Sequence, residues 1–110
     1  MVKVEIRKAN KEEILNEINE SLVAFSVNKR KITNPKNIKV DNSELYKFRI
    51  ELDKIEVNGS TIDWIKEVEG YIIKNDDNIY LVNKDFVFSD ILGVTVHLLP
   101  NLLEKLNEIK

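Results

Sequence analysis

The chain has 110 residues, 43% hydrophobic and 33% charged, with a formal net charge of −2 and no cysteine. One domain, residues 1–110, fits that length, with a core that needs neither disulfide nor metal to hold it. The missing cysteines exclude thiolate metal sites, iron–sulfur clusters and thiol nucleophiles, and the apolar-to-charged balance excludes a disordered or membrane-embedded composition.

Val2, Val4 and Ile6 alternate with Lys3, Glu5 and Arg7, the period of a strand with one wet face. The same opening lacks the long apolar run of a leader segment, so an intracellular, cytoplasmic protein is expected. Asn10 followed by Glu13 is a capping-box pair, and Ile14, Ile18, Leu22 and Phe25 form the apolar stripe of an amphipathic helix. The stripe competes with an alternation at Val23, Phe25 and Val27, so the helix is expected over about 11–21 with a strand after it. Asn34-Pro35-Lys36-Asn37 reads as a turn, followed by a short strand at Ile38-Lys39-Val40 and a turn at Asp41-Asn42-Ser43.

The cleanest signal is Tyr46 to Asp53, where every even position is apolar and every odd one charged. At Asp53-Lys54 the apolar phase slips by one residue; a β-bulge is the simplest account and a tight turn the alternative. Asn58-Gly59 predicts a hairpin joining Ile55–Val57 to Ser60–Ile62. Residues 60–68 also carry helical signals, and the strand is preferred because the turn chemistry favours it. A second hairpin is expected between Tyr71–Lys74 and Ile79–Val82, across the polar loop Asn75-Asp76-Asp77-Asn78. Phe86–Phe88 and Val94–Leu98 read as further strands, and Pro100-Asn101 opens a closing helix capped by Asn101, with Leu102, Leu103, Leu106 and Ile109 as its stripe. Together these predict an α+β fold: a mainly antiparallel sheet of five or more strands, the first helix packed on it, and a short closing helix. No segment of this chain is apolar over the roughly 20 residues that a membrane span needs.

Chemistry is sparse. His97 is the sole histidine and reads as a half-buried strand residue. None of Ser21, Ser26, Ser43, Ser60 or Ser89 sits in a nucleophile-elbow sequence. Glu51-Leu52-Asp53-Lys54 misses the acid-x-Lys spacing of a metal-dependent nuclease by one residue, and Asp76-Asp77 is ordinary turn material. Neither a metal nor any other cofactor is expected. Trp64, Tyr46, Tyr71 and Tyr80 read as core aromatics.

Charge is distributed unevenly: residues 1–40 carry nine basic against five acidic groups, residues 41–110 eight against fourteen. Lys29, Arg30, Lys31, Lys36 and Lys39 form an acid-free run suited to a polyanion or an acidic partner. The first functional expectation is a non-catalytic binding protein: an adaptor, inhibitor or sequestering protein, with viral or mobile-element accessory proteins as the class its size and Ile/Lys/Asn-rich usage suggest. A protein partner and a homodimer are expected, the latter through Leu102, Leu103, Leu106 and Ile109, a stripe larger than one small sheet is expected to cover. A nucleic-acid or nucleotide binder using the basic run is the second expectation, and a carboxylate–metal hydrolase trails it.

Overall fold

The computed structural model describes residues 2–109. Six strands form one antiparallel sheet in the order β1-β4-β7-β8-β2-β3, with β1 Val2–Lys8, β2 Ala24–Ser26, β3 Lys31–Thr33, β4 Glu44–Leu52, β7 Glu67–Asn75 and β8 Asn78–Val82. β5 (Ile55–Val57) and β6 (Ser60–Ile62) make a separate two-stranded hairpin. The first helix, α1 (Lys11–Glu20), lies on one face of the sheet; α2 (Ser89–His97) and α3 (Leu99–Asn107) lie on the other. This is the expected α+β architecture. No described helix is long and apolar enough to cross a membrane.

The alternation of β4 decides which side chains meet which helices. Its even positions, Tyr46, Phe48, Ile50 and Leu52, join Val68, Ile72 and Leu81 beneath Val94, Leu98, Leu99, Leu102 and Leu106. Its odd face is split. Toward β7, β8 and β2, α1 seals Ile73, Val82 and Ala24 with Ile14 and Ile18. Toward β1 no described helix covers this face, and the odd positions Lys47, Arg49 and Glu51 remain partly exposed beside Glu5, Arg7 and Glu69. The capping box at Asn10 is formed: Glu13 N–H donates to Asn10 Oδ1 at 2.9 Å, and Glu13 Oε1 accepts from Asn10 N–H at 3.3 Å.

Several local expectations are corrected. Ile38 and Val40 are buried, but they pack from an irregular segment after a short 3-10 turn, Pro35–Asn37, not from a strand. The phase slip at Asp53-Lys54 is no bulge: β4 ends at Leu52 and the chain turns into the separate hairpin, where Ile55 faces Ile62 as the Asn58-Gly59 turn requires. Both turn residues have positive φ, 52° and 82°, the signature of a type I′ turn. Residues 60–68 are strand only to Ile62; the chain breaks at 63–66 and resumes as β7. The next hairpin closes through a two-residue turn, Asp76-Asp77, not a four-residue loop.

The largest correction is C-terminal. Phe86 to Phe88 is not a strand; residues Lys84–Val87 form a 3-10 turn. Val94 to His97 belongs to helix α2, with Leu98 as its C-cap, because Ile91, Val94, Thr95 and Leu98 fall on one helical face and dock on the sheet. β-branched Val-Thr-Val favours strand locally, and tertiary burial overrides that preference. Asn101 is not a cap: α3 begins at Leu99, with Pro100 in its first turn.

Candidate functional site

β4 and β7 are nine residues each and antiparallel, so each spans roughly 26 Å end to end. The molecule's two distinctive surfaces sit at opposite ends of this pair.

At the end where β7 meets β8, the β2–β3 turn is fastened to the β7–β8 turn. Asn28 Nδ2 donates to Asp77 C=O at 2.5 Å, and Asn28 Oδ1 accepts from Ile79 N–H at 2.8 Å. Asn75 Nδ2 donates to Lys39 C=O at 3.2 Å. Lys29, Arg30, Lys31 and Lys39 are thereby brought to one pole, all exposed, while Lys36 stands apart on the 3-10 turn beside α1. None of the five makes an ion pair among the described residues. Exposed Asp76 and Asp77 occupy the same pole and dilute its positive potential.

At the opposite pole the β5–β6 hairpin leans against α2. Between them lies a cleft of about 370 Å³ lined by Val57, Asn58, Ser89, Leu92, Gly93, Val96 and His97. A Cβ placed on Gly93 would meet no heavy atom within 4 Å, so the glycine opens onto free space. Trp64 is 60% exposed, Phe88 59% and Val87 51%. Trp64 is therefore no core aromatic. It is nonetheless held, because its indole N–H donates to Asp90 Oδ2 at 3.1 Å, and that bond draws the Asp90 carboxyl below the usual range. The segments that form this pole lean acidic, with Asp53, Glu56, Asp63 and Asp90 exposed against Lys54 and Lys66, while Lys84 and Asp85 line a separate cavity beside α1.

His97 is exposed on α2, not half-buried in a strand. Ser89 lines the same cleft, but eight residues along one helix separate the two by about 12 Å, far beyond the hydrogen-bond reach a nucleophile–base pair needs. The acids proposed for a hydrolase are otherwise occupied or displaced: Glu51 pairs with Arg49 at 2.5 Å, and Asp53 lies beyond the end of β4. No cluster of three or more His, Asp or Glu that could hold a metal ion occurs among the described residues.

The uncovered odd face of β1, β4 and β7 is a charge lattice. Arg49 lies 3.2 Å from Glu5, 2.5 Å from Glu51 and 3.8 Å from Glu69, and it donates a hydrogen bond to Glu67. That hydrogen bond, reinforced by charge, raises the Arg49 pKa and lowers that of Glu67. Arg7 grips Glu13 with both terminal nitrogens, at 2.8 and 3.2 Å. Together with the Asn10 N–H, it holds Glu13 down to about 2. Arg7 and Arg49 are thus engaged by neighbouring acids, while Lys47 lies 5.7 Å from the centre of the Tyr71 ring.

The stripe Leu102, Leu103, Leu106 and Ile109, expected to form a dimer interface, docks on its own sheet. Leu102 is 0% and Leu106 6% exposed, and Leu103 and Ile109 are partly buried against the same core. The premise that one sheet could not cover the stripe therefore fails, since α3 lies along β1 and closes the core there. The exposed Trp64–Phe88 pole was the surface sequence reasoning missed; its one available signal was the loss of alternation after Ile62. No family model, curated protein or solved structure matches the chain.

Proposed function

We propose that this chain is a non-catalytic binding protein that meets a protein partner through the Trp64–Val87–Phe88 surface and the adjoining α2 cleft. The observation carrying this reading is a tryptophan that is 60% exposed yet fixed by a hydrogen bond to Asp90. A pre-positioned, amphipathic indole loses little side-chain entropy on binding, and Trp is enriched among residues that dominate interface energies. Neighbouring Phe88 and Val87 enlarge the apolar patch, and the cleft offers room for an apolar side chain. The acidic surround favours a partner with basic groups flanking its apolar anchor. A cytoplasmic site of action belongs to the same proposal and is read by cell fractionation.

The unpaired Lys29, Arg30, Lys31 and Lys39 favour a second reading, a nucleic-acid or nucleotide contact at the other pole. Cross-linked capture from the native cells with three baits separates the two. The wild type should retain a protein partner, the Trp64→Ala, Phe88→Ala double variant should lose it, and reversal of Lys29, Arg30 and Lys31 to Glu should keep it. Loss with the basic reversal alone, or salt-sensitive capture of nucleic acid by the wild type, would move the function to the basic pole.

A further inference from the structure

The two edges of the main sheet are treated very differently. β3 is three residues long, begins after Arg30 at φ 51° and runs into Asn34-Pro35. It is short, basic and stopped by proline, the usual protections of an edge. β1 is neither short nor stopped by proline, and its charges, Lys3, Glu5, Arg7 and Lys8, are of both signs. Its seven residues pair with β4 in an unbroken register from Val2↔Leu52 to Lys8↔Tyr46, without proline, glycine or bulge.

The direction of its free hydrogen-bonding groups follows from two bonds. Ala9 N–H donates to Leu45 C=O at 3.0 Å, and Leu52 N–H to Lys66 C=O at 3.0 Å. Odd residues of β1 therefore bond to β4, and even residues of β4 bond to β7. The N–H and C=O groups of Val2, Val4 and Ile6 consequently point away from the sheet, and no described backbone group pairs with them.

We infer that β1 pairs antiparallel with β1 of a second copy of this chain, in the register Val4 opposite Val4, joining two six-stranded sheets into one. Of the registers open to this edge, that one satisfies every requirement together. Val2 faces the partner copy's Ile6 and Val4 its Val4, so the outward backbone groups meet as hydrogen-bonded pairs and the half-buried apolar sides continue the core across the seam. Lys3 then faces Glu5 of the other copy, twice by symmetry, at the non-hydrogen-bonded positions where side chains lie closest. Slipping by one pair in one direction sets Glu5 against Glu5 and Lys3 against Arg7; slipping in the other sets Lys3 against Lys3. A further slip restores opposite charges only by placing Lys8 against Val4. Charge and apolar pattern therefore select a single isologous contact. It is independent of the Trp64 surface.

Sedimentation velocity over about 5–500 µM protein reads this contact as a concentration-dependent dimer. Lys3→Glu sets two acids against two acids and Glu5→Lys two bases against two bases, so each variant alone should weaken dimerisation by at least about tenfold. Mixed together, the two should form a heterodimer, because each acid then meets a base; a variant that had merely unfolded would not regain association. The register has its own readout. The chain lacks cysteine, so Val4→Cys should give a disulfide-linked dimer on mild oxidation, hydrogen-bonded partners having Cα atoms about 5.5 Å apart. Ile6→Cys should not, because the two copies of residue 6 would lie about 13 Å apart. A monomer throughout that range, a dimer indifferent to Lys3→Glu and Glu5→Lys, or linkage through residue 6 in place of residue 4 would overturn the inference.

Discussion

Gly70 is the point where the core has least tolerance. It lies in mid-strand on β7 opposite Phe48, with the fully buried Phe48 ring laid over it. A Cβ there would stand 2.7 Å from Phe48 Cε2, 2.8 Å from Cζ and 3.0 Å from the Val82 carbonyl oxygen. Ordinary carbon contacts are about 3.5–4.0 Å, so Gly70→Ala must push the ring aside by most of an ångström, while the carbonyl belongs to backbone that cannot yield alone. Overpacking of this kind costs about 1–3 kcal/mol, offset by about 0.4–1 kcal/mol from the stiffer unfolded chain. The net loss of about 1–2 kcal/mol lowers Tm by roughly 5–15 °C in a domain of this size. Circular-dichroism melts of Gly70→Ala, Phe48→Leu and the double variant form the test. Leucine removes the two clashing ring atoms, so Gly70→Ala should lose most of its cost in the Phe48→Leu background, a coupling of at least about 0.5 kcal/mol. A Gly70→Ala protein that melts at or above the wild type, or an equal Tm drop in both backgrounds, would refute the packing argument.

Two further perturbations probe the charged face and the basic pole. Glu67 titrates below its ordinary value because Arg49 hydrogen-bonds it, so its contribution is present above the unfolded carboxylate pKa and is lost as pH falls through the folded one. Arg49→Gln leaves Glu5, Glu51, Glu67 and Glu69 facing one another, and like charges disfavour ionisation. The variant should therefore recover stability as pH is lowered from 7 toward about 4.5, and Tm-against-pH curves parallel to the wild type would contradict the lattice. Arg30 adopts φ 51° in the β2–β3 turn, where a side chain is unfavourable and glycine is not, so Arg30→Gly should stabilise by about 1 kcal/mol in urea titration; a loss of stability would show that the arginine side chain contributes to the fold.

The parts of the fold legible in sequence were those where local pattern and tertiary burial agree. β4 alternates because one of its faces meets α2 and α3 and the other meets water; Asn58-Gly59 fixes its hairpin through two positive φ angles; Asn10 and Glu13 satisfy the first backbone donors of α1. Where local pattern and burial disagree, the sequence misleads. Val94, Val96 and Leu98 alternate as a strand would, yet Thr95 is fully buried and Val96 only partly so. That ordering makes sense only once Ile91, Val94, Thr95 and Leu98 are seen as a helical face, with the Thr95 hydroxyl bonded back to the Ile91 carbonyl at 2.8 Å.

The candidate sites follow the same division, for a further reason. A run of lysines is visible in one dimension, but its effect depends on what other segments bring to it. Only the fastening of Asn28 to Asp77 and of Asn75 to Lys39 places Lys29, Arg30, Lys31 and Lys39 together, and places Asp76 and Asp77 among them. Trp64 and Phe88 lie 24 positions apart and meet water at the same pole because one sits in the break between β6 and β7 and the other at the junction of the 3-10 turn with α2. The β1 edge is the intermediate case. Its alternation and its charges, Lys3, Glu5 and Arg7, are plain in the sequence, but whether they face a neighbour or solvent is fixed by strand order. Once β1 is outermost, with its even-numbered backbone groups turned outward, the seven residues that looked like an ordinary half-buried strand become a surface whose charges match their own antiparallel copy in one register and clash on slipping one pair either way.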